Sequence, residues 1–163
     1  MTVNTGKVPG RRVLRFDSFE SLFAEVDALA LAERAQRLRR IGNWTLGQAL
    51  GHVAAWADYA FDGYPPDINP PWIVRFVVGF QKKSFIHHKM RAGVKIPGVQ
   101  NGTKAIEVIS TDEGVRRLRS AFTRLRDQAP VLPNPLFGPL SHGEWIGLNL
   151  RHCELHLSFF NAT

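Results

Sequence analysis

Cysteine is almost missing from this chain of 163 residues, Cys153 being the only one. A single thiol excludes an intramolecular disulfide and a multi-cysteine zinc cluster, and a reducing cytoplasmic setting is the expectation. Long apolar runs are missing as well. The longest, Trp72 to Phe80, is interrupted by Arg75 and reaches about half the length that a bilayer crossing needs. No transmembrane segment and no membrane partner are therefore expected. Lys7, Arg11 and Arg12 are followed by polar and charged residues, without the apolar stretch of a secretory signal.

Acidic residues are also in short supply, 14 against 21 basic ones, for a formal net charge of +7 and a pI near 10.2. That balance admits a phosphate-rich partner or an anionic small molecule. The bases cluster at Arg34, Arg37, Arg39 and Arg40, at Lys82 through Arg91, and at Arg116, Arg117, Arg119, Arg124 and Arg126. Solvated helix faces account for most of them, because long basic side chains flank apolar stripes. No helix-turn-helix, zinc-finger or aromatic-stacking motif accompanies them, so nucleic acid is not the expected partner.

What is present points to helices. A composition of 44% hydrophobic and 21% charged residues suits a folded chain, and the length fits one domain over 1–163, with an irregular N-terminal arm over 1–15. Four places pair an N-cap residue with Glu or Gln three positions on: Asp17 with Glu20, Thr45 with Gln48, Ser110 with Glu113, and Ser141 with Glu144. The expected class is all-α, with four main helices.

The first runs from Asp17 to Arg40, stopping before Gly42 and burying Phe19, Leu22, Phe23, Val26, Leu29 and Ala30. The second runs from Thr45 to Asp62, where Gly63, Pro65 and Pro66 end it. The third, Thr111 to Gln128, carries Val115, Leu118, Phe122, Leu125 and Ala129 at steps of three and four. The fourth fills Ser141 to the C-terminus. Between the second and third lies an insertion over 65–109, with a short helix within Trp72 to His88 and a loop marked by Pro97, Gly98, Asn101 and Gly102. Connections this long are usually functional or disordered, and this one is taken as a crossover with a lid-like segment. Strand signals are weak throughout.

The chemistry-bearing residues are histidines. His152 and His156 stand four apart in an apolar stripe with Trp145, Leu148, Leu155, Phe159 and Phe160, so on a helix both rings point the same way. His52 lies on the inward face of the second helix. Neutral imidazoles on rigid elements are the ligands a transition metal needs, and three of them leave an open position for a water or thiol. The competing reading is three core histidines that pack and form hydrogen bonds. Two uncompensated imidazoles side by side in an apolar seam nevertheless cost desolvation that an ion would offset.

Asn149, Asp58 and Glu154 are candidates to orient the rings. His87 and His88 sit in a basic tract, and His142 in a first helical turn; all three are expected to stay outside the site. Cys153 lies about 100° around the helix from His152 and is expected to be a buried, inert thiol. Cys153 with His156 is the competing ligand pair. Imidazole suits several divalent metals, so the residues alone do not fix the ion.

Three stretches together carry a family likeness. N-W-T-L-G-Q-A-L-G-H at Asn43 to His52, N-P-L-F-G-P-L-S-H-G-E-W at Asn134 to Trp145, and R-H-C-E-L-H-L-S-F-F at Arg151 to Phe160 resemble the DinB-like superfamily. They look closest to a branch of bacterial proteins of unknown function, and the resemblance runs from G-R-R-V-L-R-F near the start to the last helix. It implies an up-up-down-down four-helix bundle, often dimeric, with a histidine triad holding zinc or nickel at one end. Carried over residue by residue, the triad is His52, His152 and His156.

Related members are thiol transferases that attach bacillithiol, mycothiol or glutathione to electrophiles, or isomerases that use such thiols. The implied function is that of a metal-dependent enzyme, an S-transferase or hydrolase in which a thiol or water is activated. No further cofactor is implied, and a homodimer is the implied assembly. The branch often carries a doubled histidine where this chain has Leu155 and His156. One imidazole is lost here while the four-residue spacing survives.

Overall fold

The computed structural model describes residues 2–95 and 102–162. The described chain is mostly helical, in the order α1 (Phe19–Arg34), β1 (Leu38–Arg40), α2 (Leu46–Asp62), α3 (Trp72–Gly79), α4 (Lys82–His87), α5 (Thr111–Asp127), α6 (His142–Leu157) and β2 (Phe160–Ala162). The long helices α1, α2, α5 and α6 share one core, in which Leu22, Val26, Leu50, Val53, Leu118, Phe122, Cys153 and Leu157 are fully enclosed. Each large apolar side chain so buried contributes about 1.5–3 kcal/mol against exposure.

Three of the four expected helix starts lie where the capping residues put them. Thr45 and Gln48 exchange side-chain to backbone bonds at α2, as do Ser141 and Glu144 at α6. Ser110 caps α5, but Glu113 turns its carboxylate to Arg116 and Arg117 instead of closing the box. The first start needs correcting by one residue. Ser18, not Asp17, is the cap, and its box partner is Ser21; Ser18 has the extended backbone, and its hydroxyl accepts from the Ser21 amide at 3.2 Å.

The end of α1 is a larger correction. The helix stops at Arg34 and not at Arg40. Gln36 adopts a left-handed backbone with φ 57°, while its amide and that of Arg37 reach back to the carbonyls of Glu33 and Ala32 at 2.9 and 2.8 Å. This is the Schellman closure that glycine usually supplies. A glutamine there gave no sequence signal, and Gly42 was the only visible stop. The freed residues Leu38–Arg40 pair antiparallel with Phe160–Ala162, Arg39 opposite Asn161. For the same reason α6 ends at Leu157 and not at the C-terminus.

α2 and the start of α5 approach so closely at Gly47 and Gly114 that neither position has room for a β-carbon. A Cβ on Gly114 would lie 2.9 Å from the Leu50 Cβ and 3.0 Å from the Gly47 carbonyl oxygen, and one on Gly47 would lie 2.8 Å from the Ser110 carbonyl carbon. Phe19 meets Phe122 edge-on at 5.5 Å, joining α1 to α5. Of the expected α5 seam, Ala129 falls past the helix end and is exposed, while Ala121 joins the core instead.

The insertion holds two short helices where one was expected. α4 docks on α6: Ile86 is 4% exposed, and it fills the space at Gly147, where a Cβ would stand 3.0 Å from its Cγ2. Lys82 adds an ion pair to Glu144 at 2.9 Å. α3 has no buried residue. Pro97, Gly98 and Asn101 lie outside the described residues, whereas Gly102 lies within them with φ 80°. No helix among the described residues is long and apolar enough to cross a membrane.

Candidate metal centre

His52 sits in the middle of α2, and His152 and His156 sit one turn apart near the end of α6. Their rings meet through the same atom type. Nε2 of His152 is 3.3 Å from Nε2 of His52 and 3.0 Å from Nε2 of His156. One ligand atom from each of the three lies within 4.8 Å of the others, so the group could hold a metal ion.

Two of the three separations have coordination spacing. Ligands about 2.0–2.1 Å from a common ion, at tetrahedral or octahedral angles, place neighbouring nitrogens about 2.8–3.4 Å apart, which the His52–His152 and His152–His156 pairs match. The tautomer fits as well. His52 Nδ1 is 2.8 Å from the Lys104 carbonyl oxygen, which can only accept, so the proton belongs on Nδ1 and the Nε2 lone pair faces the other two rings.

Burial holds all three imidazoles neutral. Desolvation draws His52 down to about 4, against the smaller opposing pull of the Lys104 and Ala105 backbone. His152 and His156 are also pushed well below the ordinary histidine value, first by desolvation and then by neighbouring charge, including Arg11 in the case of His156. His52 is 1% exposed, whereas the two α6 histidines are half-buried. Of the three residues, the two on α6 are the more accessible.

Aromatic rings form the walls. Trp44 lies flat on His156 at 4.9 Å and 7° and tilts over His52 at 4.8 Å. Trp56 packs on His52 and His152 at 6.0 and 6.1 Å; Tyr59 and Tyr64 extend that wall. Arg11 is fixed behind α6 by Ser158 Oγ at 2.8 Å and by Phe159, whose ring it covers at 4.4 Å.

The residues expected to orient the rings do other work. The Asn149 amide donates to the Trp145 carbonyl at 3.0 Å. Glu154 accepts from the Phe16 amide at 2.6 Å and pairs with Arg151 at 2.7 Å. Asp58 faces Arg124 at 3.8 Å. The group that does orient His52 is the backbone of Lys104, delivered by the insertion and followed by Ala105 with a left-handed φ of 58°. Sequence reasoning missed it because a carbonyl has no side-chain signature, although a non-glycine residue in that conformation is a device often found at functional sites.

Of the remaining candidates, His87 and His88 are exposed, and His142 Nε2 approaches the Leu125 carbonyl oxygen at 2.6 Å, at the end of α5. Cys153 is fully enclosed, and burial pushes its thiol well up; it belongs to the core. The arginines of α5 are matched with acids: Arg116 and Arg117 with Glu113, Arg119 with Asp27, Arg124 with Asp62, and Arg126 with Asp127. Two surface concavities, one between Leu38, Thr45 and Phe160 and one between Val13, Phe16 and Ala28, include none of the histidines.

No curated protein and no solved structure matches the chain. A family match covers residues 9–163, nearly the whole sequence and all three histidines, and by it the chain belongs to the family described as protein of unknown function (DUF1569).

Proposed function

We propose that this is a metal-dependent enzyme of the DinB-like type, built as a four-helix bundle of α1, α2, α5 and α6 with the crossover carrying α3 and α4. His52, His152 and His156 would hold one divalent transition ion, zinc or nickel. The observation that carries the reading is the gathering of three imidazoles whose ligand atoms lie within 4.8 Å of one another, with His152 Nε2 at 3.3 and 3.0 Å from the other two and the His52 tautomer fixed by Lys104. A divalent ion held there would supply a Lewis acid that lowers the pKa of a bound water or thiol.

The chain's own residues do the rest. The Lys104 carbonyl holds the His52 ring in orientation, Trp44 and Trp56 pin the rings and limit water, and the side of the less buried α6 pair is the one from which a substrate arrives. The reaction class we favour is transfer of a low-molecular-weight thiol to an electrophile, with hydrolysis as the alternative use of the same site. Association as a homodimer in a cytoplasmic setting completes the proposal.

Elemental analysis of tag-free protein tests the site, and thiol conjugation of an electrophile by the reconstituted protein tests the reaction. One equivalent of transition metal in wild type, lost in a His156→Phe variant together with turnover, supports the reading. Absence of stoichiometric metal after reconstitution overturns it.

A further inference from the structure

We infer that α3 and the basic residues that follow it up to Arg91 form a docking face for an anionic lipid bilayer surface. Trp72, Ile73, Phe76, Val77 and Phe80 are 74%, 56%, 63%, 54% and 77% exposed. At about 100° per residue these positions fall on one continuous arc of roughly 140°, with Val74 and Val78 turned toward the protein and half-buried. The other exposed large apolar residues, such as Leu31 and Val131, are scattered singly, which is ordinary for a surface. A contiguous aromatic and aliphatic face calls for a partner.

The charge carried by α3 and the chain that follows it identifies the partner's chemistry. From Ile68 to Ile106 there is no Asp or Glu, while Arg75, Lys82, Lys83, Lys89, Arg91, Lys95 and Lys104 fall in that span. Lys82 and Lys104 are taken up by Glu144 and Asp67. Among the described residues no acid pairs with Arg75, Lys83, Lys89 or Arg91, and all four are exposed. Trp and Phe beside uncompensated Lys and Arg is the composition of a helix that lies in a bilayer interface, with rings among the acyl chains and cations on anionic headgroups.

A second copy of this chain would bring the same unpaired cations against themselves. A nucleic acid would satisfy the cations and leave the aliphatic face in water. Surface association needs no spanning segment, so the shortness of the apolar run, from which no membrane partner was expected, does not oppose it. The proposal is independent of the histidine site.

Sedimentation with phosphatidylcholine vesicles, with and without phosphatidylglycerol, is the test. Wild type should pellet only with the anionic vesicles and less as salt rises. Its tryptophan emission should shift to shorter wavelength on binding, and that shift should vanish in Trp72→Phe. Removing Lys83 and Lys89 together should weaken partitioning about 25-fold, at about fivefold per base. Phe76→Ser with Phe80→Ser should abolish it, with the melting temperature unchanged because both rings already face solvent.

Three results overturn the inference. One is absence of binding, or equal binding to neutral vesicles. Another is a wild-type dimer that the paired Phe substitutions convert to monomer. The third is binding to polyphosphate or DNA that those substitutions leave intact while vesicles are ignored.

Discussion

Replacing His156 by phenylalanine keeps a flat ring on Trp44, which stacks on it at 4.9 Å, while removing the nitrogen that lies 3.0 Å from His152 Nε2. Packing and ligation are thereby separated. If the triad binds an ion only when folded, ion at about a hundred times its dissociation constant stabilises the native state by about 2.7 kcal/mol. For a chain of this size each kcal/mol moves the melting temperature about 2–4 °C, so wild type should gain roughly 5–10 °C over its chelated form. With two nitrogens left and affinity reduced about a hundredfold, the same ion concentration yields about 0.4 kcal/mol, a shift on the order of 1 °C.

The assay is calorimetric melting of chelator-treated protein with zinc or nickel added back, run beside a His87→Ala control whose exposed ring leaves the full shift intact. An equal metal-induced shift in His156→Phe, or none in wild type, refutes the reasoning. A chelated His156→Phe variant that melts close to chelated wild type would show that the loss comes from ligation and not from packing.

Metal-free protein should lose stability as pH falls from about 6.5 toward 4, since burial holds His52 at about 4 and the unfolded chain takes up a proton that the native state refuses. His52 alone contributes a loss on the order of 3 kcal/mol, to which the two α6 histidines add, read from urea midpoints; a flat profile across that window contradicts the burial argument. Gln36→Gly should stabilise by about 0.5–1 kcal/mol, because the residue already occupies the left-handed conformation with φ 57° that glycine adopts without strain; a destabilised variant counts against the Schellman closure. Gly47→Ala should cost about 1–3 kcal/mol or more, since the new Cβ meets the Ile109 carbonyl oxygen and stands 2.8 Å from the Ser110 carbonyl carbon; an unchanged denaturation midpoint would mean that α2 and α5 are further apart. Arg151→Met should cost about 3–5 kcal/mol, because it strands the Glu154 carboxylate, each partner being 3% exposed; a neutral result in the same assay excludes the buried pair.

The sequence by itself determined, to within one residue, where the long helices begin, and most of the residues they bury. Caps and apolar periodicity are local, written within a few positions of one another, as at Thr45 and Gln48 or Leu118, Phe122 and Leu125. The pairing of His152 with His156 was legible for the same reason: four residues on a helix fix a neighbourhood without help from the rest of the chain. The tertiary structure decided what depends on distant partners. It brings His52, 100 positions earlier, to 3.3 Å from His152, and it sets the Lys104 carbonyl on the far nitrogen of His52, through a backbone group that no residue type announces. It ends α1 at Arg34, where the stretch Leu38–Arg40 finds hydrogen-bond partners in Phe160–Ala162, a choice no local propensity encodes. It also leaves the apolar arc of α3 facing outward, because α4 and not α3 takes the docking position beside Gly147. Periodicity specifies that a face is apolar; only packing specifies whether anything covers it.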